Sequence, residues 1–337
     1  MDFTRYSRQM LFSPIKEKGQ QNLADSSVLV VGAGALGTVI CNHLVRAGVG
    51  KIRLIDRDYV ELSNLQRQML FDEDDVSQAL PKAVAAKRKL EKMNRDVTVE
   101  AIVGNVTKEN MESHIQGMDV VMDGTDNFAT RFLLNDACVK HSIPFSYGGV
   151  VSSRGMTALF IPDETPCLRC LIKEGGESGQ TCDTIGVIAP AVDLVSSLQC
   201  TEVMKYLTGN KQHLRNTLKT IDIWYNHQYD MKFPELDPAC PACGTHEFPS
   251  LTKSAKELET ILCGRDTVQI HQQEAMNLDE WEDRLSSVSD TTRTPFLLKA
   301  VFQNELKLVI FPDGRVLVQG TEDATVARIM YDRYIGS

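Results

Sequence analysis

Four cysteines stand in two C-x2-C pairs, Cys167/Cys170 in PCLRC and Cys240/Cys243 in ACPAC, each pair beside a proline. Thiolates in two short knuckles are the usual ligand set of a structural Zn²⁺ site. A lone C-x2-C is also a redox motif, but two such pairs favour tetrahedral zinc. Four sulfurs leave the ion no open position for substrate, so the expected role is folding: the metal ties the loop after residue 161 to the end of the main domain. The other five cysteines, Cys41, Cys138, Cys182, Cys200 and Cys263, are scattered. Cys182 differs from its companions in lying in the Gly/Ser/Thr-rich stretch GESGQTCDTIGV. An exposed loop thiol there is a candidate nucleophile if its surroundings lower its pKa; the plain alternative is an incidental thiol.

A second set of residues points to a nucleotide. In VGAGALG the glycines Gly32 and Gly34 permit a tight strand-to-helix turn and close approach of backbone to phosphate. Gly37 lets the helix pack closely on the strand, and amides at the helix start face an anion. Asp56 follows about 20 residues on, at the end of the second strand, where a carboxylate accepts ribose hydroxyls. This much fits a nicotinamide dinucleotide as well as ATP, and a glycine turn that binds no nucleotide is a third reading. No GxxxxGK[ST] loop is present.

The stretch SNLQRQ, 63–68, discriminates. Ser63 and Asn64 fit the start of a short helical turn presenting backbone amides. Arg67, one turn later, offers a planar fork for phosphate oxygens. Pro81 suits the first turn of a helix, which places Lys82 at the positive end of the macrodipole. A cation there is disfavoured by roughly 0.3–1 kcal/mol unless an anion neutralises it. Either residue alone reads equally well as a solvated surface group; together they favour a triphosphate. Asp126, in MDGTDN, stands where a strand gives way to a helix. It reads either as an N-cap or as a carboxylate holding Mg²⁺ against phosphate oxygens. Arg5 and Arg8, in RYSRQ, precede any core strand, and by themselves read as solvated.

The elements that must position these groups alternate. SVLVVGAG is an apolar strand, ALGTVICNHLVRAGVG carries helical spacing, and KIRLID gives the next strand. A helix over 81–94, a strand over 97–103, a helix near 107–116, the strand MDVVMDGTD and the helix NFATRFLLNDACVKHS follow, and Pro144 opens PFSYGGVV. The spacing predicts an α/β fold with a Rossmann-like, mostly parallel sheet covered by helices on both faces. Beyond residue 150, GMTALFI and LKTIDIWYNHQYDMKF read as an antiparallel extension separated by a helix over 188–207, with the zinc knuckle attached. From 251 to 337 a small C-terminal α+β domain is expected. It reads as one short strand, an acidic helix around NLDEWEDRL, the strands FLLKAVF, ELKLVIF and RVLVQG, and a closing helix DATVARIMYDRYI. Asp313-Gly314 is a hairpin signal.

Composition excludes several classes. The 337 residues are 42% hydrophobic and 24% charged, ordinary values for a globular protein. A net charge of −9 argues against wholesale nucleic-acid binding, which needs a Lys/Arg excess. No run approaches about 18 consecutive apolar residues, and MDFTRYSRQ has no signal-peptide core. A cytoplasmic location away from membranes is therefore expected.

RYSRQ, VGAGALG, DRD, SNLQRQ, PK, DGTDN and the paired knuckles, in this order, resemble the ThiF/MoeB/HesA family over about residues 1–250. Its members are the bacterial relatives of ubiquitin-activating enzymes. The resemblance implies an adenylyltransferase acting on a small ubiquitin-like sulfur carrier protein, whose C-terminal Gly-Gly carboxylate attacks ATP. It implies that Ala35 belongs to the nucleotide turn, that Asp56 meets the ribose, and that Ser63, Asn64, Leu65, Gln66, Arg67 and Lys82 hold the phosphate tail. Asp126, with Asn127 beside it, would coordinate Mg²⁺. Arg8 would reach the γ-phosphate held by the neighbouring subunit of a homodimer, and Cys167, Cys170, Cys240 and Cys243 would bind Zn²⁺. Cys182 matches the place where thiamine-pathway members join covalently to the activated carrier. A sulfurtransferase or cysteine desulfurase is a further expected partner. GVVSSRGM and the last segment are similar to Bacillus-type thiamine-pathway members. They favour a ThiS-type carrier over the alternative, a MoaD-type molybdopterin synthase small subunit. Two other classes compete: an NAD-dependent oxidoreductase and a non-catalytic nucleotide-sensing scaffold. Neither gives Arg67 and Lys82 a catalytic task.

Overall fold

The structure, a computed structural model, describes residues 3–172, 185–252, 259–262, 267–272, 274–303 and 306–336. The chain splits into two compact units, 1–76 with 81–253 and 77–80 with 254–337.

The larger unit opens with helix α1 (Lys16–Asp25), strand β1 (Ser27–Val31), helix α2 (Ala35–Ala47) and β2 (Lys51–Asp56). Helix α3 (Lys82–Met93), β3 (Thr98–Val103), β4 (Val120–Asp123) and helix α4 (Phe128–Lys140) follow. β5 (Phe145–Val151), β6 (Arg154–Phe160), helix α5 (Ala189–Leu207), β7 (Thr217–Asp222) and β8 (His227–Lys232) complete it. One eight-stranded sheet runs in the order β3-β2-β1-β4-β5-β6-β7-β8. The first five strands in that order pair in parallel, and β5 to β8 continue antiparallel. This is the Rossmann-like, mostly parallel sheet with an antiparallel extension.

Local chemistry explains the elements. Four of the five residues of β1 are fully covered, as expected of a central parallel strand buried on both faces. α2 stops at Gly48, whose φ of 81° is the left-handed cap conformation. Near 107–116 the helix is shorter than its sequence predicts, only Met111–Ile115. The Asn110 side chain accepts from the Thr107 amide at 2.8 Å and winds the preceding residues into a turn instead. On one face of the sheet Leu29, Val31, Val121, Phe145 and Phe160 pack against Leu134 and Ala137 of α4. α5 lies along α2, with the Ser196 hydroxyl donating to the Leu36 carbonyl at 3.3 Å.

The smaller unit is a six-stranded antiparallel sheet, order β11-β12-β13-β14-β10-β9. Its strands are β9 (Glu259–Leu262), β10 (Thr267–His271), β11 (Asp290–Arg293), β12 (Leu298–Val301), β13 (Lys307–Ile310) and β14 (Arg315–Gln319). Helices α6 (Leu278–Leu285) and α7 (Ala324–Tyr334) begin on the side-chain caps Asn277 and Asp323. Gly314, at φ 86°, makes the turn between β13 and β14. Two strands exceed the sequence expectation: β9 beside β10, and β11, whose residues DTTR carry no apolar alternation because they form a sheet edge. Among the described residues no helix is long and apolar enough to cross a membrane.

Candidate active site

The register pairs Val31 with Ile55 on one side of β1 and with Asp123 on the other. The carboxyl ends of β1, β2 and β4 therefore lie side by side, and strand order reverses at β1, the place where such sheets bind ligands. Gly32 takes a φ of 94°. A Cβ on Gly37 would lie 1.8 Å from the Gly32 carbonyl oxygen, so helix and strand meet backbone to backbone. Gly34 is different: the nearest heavy atom to a Cβ there is 3.9 Å away, and the surrounding protein does not require glycine. Ala35 opens α2 directly after it.

Asp56 is half-buried. Its Oδ2 accepts from the Ala33 amide in the glycine turn at 2.6 Å, and its Oδ1 accepts from the Asp58 amide at 2.7 Å. Burial pushes the Asp56 carboxyl above the usual carboxylate range, against the pull of Lys82 and the two amides. Lys82 is only 3% exposed. Its amide donates to the Asp58 carbonyl at 2.8 Å, and its Nζ lies 3.5 Å from Asp58 Oδ2. The anion that the helix-start position demands is thus supplied in part by the chain itself.

The 63–68 stretch begins in a short 3-10 turn, Leu62–Asn64. Asn64 is buried and committed to that turn, its Oδ1 accepting from the Glu61 amide at 3.1 Å. It shapes the turn rather than facing outward, and its own amide donates to the Glu61 carbonyl. Ser63 and Gln66 are exposed, and Leu65 and Arg67 half-buried. Arg67 Nη1 donates to the Ser63 carbonyl at 3.0 Å.

Asp126 is exposed in the loop after β4. The cap of α4 is Asn127, whose Oδ1 accepts from the Thr130 amide at 2.8 Å. The capping reading of Asp126 therefore belongs to its neighbour. Beneath the loop lies an ion pair absent from the sequence expectations. Asp123, 0% exposed, accepts from Arg131 Nε at 2.9 Å. Arg131 Nη2 reaches on to the carbonyls of Thr125 at 2.7 Å and Gly148 at 3.1 Å. Its sequence signal was a carboxylate inside the apolar run VVMD, which burial obliges to find a cation.

Arg8 lies exposed on the short helix Ser7–Met10. The next residue, Gln9, donates from Nε2 to the Ala47 carbonyl at 3.0 Å, at the far end of α2 from the glycine turn. That distance is about 18 Å at 1.5 Å per residue. The fold does not bring Arg8 to its own chain's glycine turn.

The four knuckle cysteines do converge: their sulfurs all lie within 4.8 Å of one another. Neighbouring Sγ separations are 3.9 Å for Cys167–Cys170, 3.6 Å for Cys167–Cys240 and 3.4 Å for Cys170–Cys243. Tetrahedral zinc with bonds of about 2.3 Å separates its sulfurs by about 3.8 Å. The donor set and spacing fit. Burial pushes the Cys243 thiol up to about 12. α4 carries the knuckle, because the Asn135 side chain accepts from the Leu168 amide and Asp136 forms a two-point pair with Arg169 at 2.6 and 2.9 Å. Cys182 lies outside the described residues.

A glycine turn facing a strand-end acid, at the reversal of a mostly parallel sheet, makes this a Rossmann-like protein with a nucleotide-type crevice. Within that class the chain belongs to the ThiF family, which it matches over residues 6–243. It is 43% identical over 336 residues to the sulfur carrier protein ThiS adenylyltransferase of Bacillus subtilis (strain 168), spanning 98% of this chain and 99% of that protein. Molybdopterin-synthase adenylyltransferase of Salmonella typhimurium is 35% identical, over 72% of this chain and 97% of that one. Among solved structures, E. coli MccB with ATP matches with a TM-score of 0.62 at 25% identity, covering 72% of this chain and 75% of that chain.

Proposed function

We infer that the chain is a sulfur carrier protein adenylyltransferase. It transfers AMP from ATP to the C-terminal Gly-Gly carboxylate of a small ubiquitin-like carrier of ThiS type, releasing pyrophosphate. The observation that carries this reading is the 43% identity along 98% of the chain, smaller unit included. A MoaD-type carrier is the second reading, favoured by the 35% identity to the molybdopterin enzyme; that match covers only 72% of the chain.

The residues divide the work as follows. The backbone at Gly32, Gly34, Ala35 and Gly37 receives the nucleotide. Asp56 still has lone pairs for the ribose beyond the two amides it accepts. Ser63, Leu65, Gln66, Arg67 and Lys82 hold the phosphate tail on the turn that Asn64 shapes. Asp126 is the carboxylate for Mg²⁺, since Asn127 is occupied in capping. Mg²⁺, when bound, neutralises phosphate charge. A carboxylate oxygen of the carrier attacks the α-phosphorus, the bond to the bridging oxygen breaks, and pyrophosphate leaves. No general base is required, because a C-terminal carboxyl with a pKa of about 3.5 is ionised at neutral pH. The chain's task is positioning and charge neutralisation.

Arg8 acts on the site of a second copy, which makes the enzyme a homodimer; its place at the far end of α2 supports this. Cys167, Cys170, Cys240 and Cys243 hold Zn²⁺ as a folding element. Cys182 joins covalently to the activated carrier, and a sulfurtransferase or cysteine desulfurase supplies the sulfur. Residues 1–250 carry the adenylation chemistry in the cytoplasm; the region 251–337 is assigned no part in it. Incubation with Mg-ATP and each carrier, followed by intact-mass measurement, tests the reading. The ThiS-type carrier gains one adenylyl group. Modification of the MoaD-type carrier alone would transfer the assignment to the second reading.

A further inference from the structure

We propose that Arg131 is a positioning residue of this site: it lies beneath the 124–126 loop and fixes the direction in which Asp126 presents its carboxylate to the metal–nucleotide complex. The inference rests on the reading that Asp126 holds Mg²⁺. Three strand-end segments meet on one guanidinium. Nε takes Asp123 at the end of β4, and Nη2 takes the Thr125 carbonyl, immediately before Asp126, and the Gly148 carbonyl of β5. The other oxygen of Asp123 accepts from the Thr125 amide at 2.8 Å and its hydroxyl at 2.7 Å. From α5, Gln199 Nε2 donates to the Asp123 carbonyl at 3.1 Å, so that residue is anchored through main chain and side chain alike.

A merely structural ion pair would need only Asp123. Arg131 also grips the peptide next to Asp126 and interacts electrostatically with the Asp126 carboxylate. Phe128 and Tyr147 flank the guanidinium, with ring centroids 5.0 and 5.4 Å from its central carbon. Lysine keeps the charge but cannot span three acceptors with a planar fork.

Two variants of the full chain test this. Arg131→Lys retains the buried pair. The double variant Asp123→Asn/Arg131→Met leaves no unpaired buried charge and keeps an acceptor for Thr125, so both are expected to fold. Binding of Mn²⁺–ATP is read by electron paramagnetic resonance without carrier, and half-saturating Mg²⁺ and kcat are read by carrier-dependent ATP–pyrophosphate exchange. Both variants weaken metal–nucleotide binding about tenfold or more and raise half-saturating Mg²⁺ by a similar factor. At saturating metal kcat stays within about threefold, and zinc content is unchanged. Folded variants that bind Mn²⁺–ATP within about twofold of wild type would overturn the proposal. Wild type that binds Mn²⁺–ATP but shows no exchange would remove the adenylation reading and still let the variants decide the role of Arg131. Wild type that binds no metal–nucleotide would overturn both.

Discussion

Alanine at Gly34 and at Gly37 should produce opposite failures. At Gly37 the added Cβ lies 1.8 Å from the Gly32 carbonyl oxygen and 2.8 Å from its carbon, against 3.4 Å or more for an ordinary contact. Both neighbours are backbone, so no rotamer change relieves the clash, and helix α2 must move off β1. Overpacking of this kind costs about 1–3 kcal/mol, and a unit of this size loses about 2–4 °C of Tm per kcal/mol. At Gly34 the nearest atom is 3.9 Å away, so a methyl group meets no clash in the apo-protein, and the backbone at φ −82° and ψ −149° sets its cost at about 1 kcal/mol. The methyl group instead occupies the space through which phosphate approaches the backbone. ATP affinity should fall at least about tenfold, or about 1.4 kcal/mol. Scanning calorimetry of both variants and titration calorimetry with Mg-ATP read the two effects separately. A Gly34→Ala protein that folds and binds ATP within about twofold of wild type would refute nucleotide binding at this turn. An unchanged Tm for Gly37→Ala would refute the backbone contact.

Other outcomes follow from the same geometry. Elemental analysis of wild type should find about one zinc per chain, and Cys240→Ser should lose it; a stable, metal-free wild type would contradict the knuckle assignment. Lys82→Met removes the buried cation beside Asp58 and Asp56, while Arg57 Nε remains 3.8 Å from Asp58 Oδ1, and should lower stability by about 1–3 kcal/mol at pH 8 as well as weakening ATP binding. A carboxyl whose pKa is raised on folding favours the native state at low pH and loses that contribution as pH rises through the folded value. Burial already raises Asp56, and loss of Lys82 raises it further. The destabilisation should therefore shrink in denaturant titrations as pH falls from 8 into the carboxylate range; growth on acidification would refute the charge argument. Mixing inactive Arg8→Ala with inactive Asp126→Ala should restore part of the activity in hybrid dimers, and no recovery would refute action of Arg8 across subunits.

The four-cysteine cluster and the glycine turn were legible because their chemistry is local: cysteine spacing and φ requirements are written in a few consecutive residues. The central strand β1 was legible for the related reason that burial on both faces leaves an unbroken apolar run. What escaped depends on tertiary partners. The Asp58–Lys82 pair exists because the chain folds back to bury Lys82 against Asp58. Asp123 and Arg131 pair across the start of α4, a relation with no sequence pattern of its own. Asp126 and Asn127 both suit a cap, and only the hydrogen bond to the Thr130 amide decides between them. The polar edge strand β11 was hidden because its pairing is main-chain on one side only.

ATP–pyrophosphate exchange, measured with and without a carrier ending in Gly-Gly, addresses the central claim most directly. Exchange that requires Mg²⁺ and appears only when a ThiS-type carrier is added is the predicted result. Absence of exchange with every Gly-Gly carrier, from protein that is folded and binds ATP, would contradict the assignment of this crevice to carrier adenylylation.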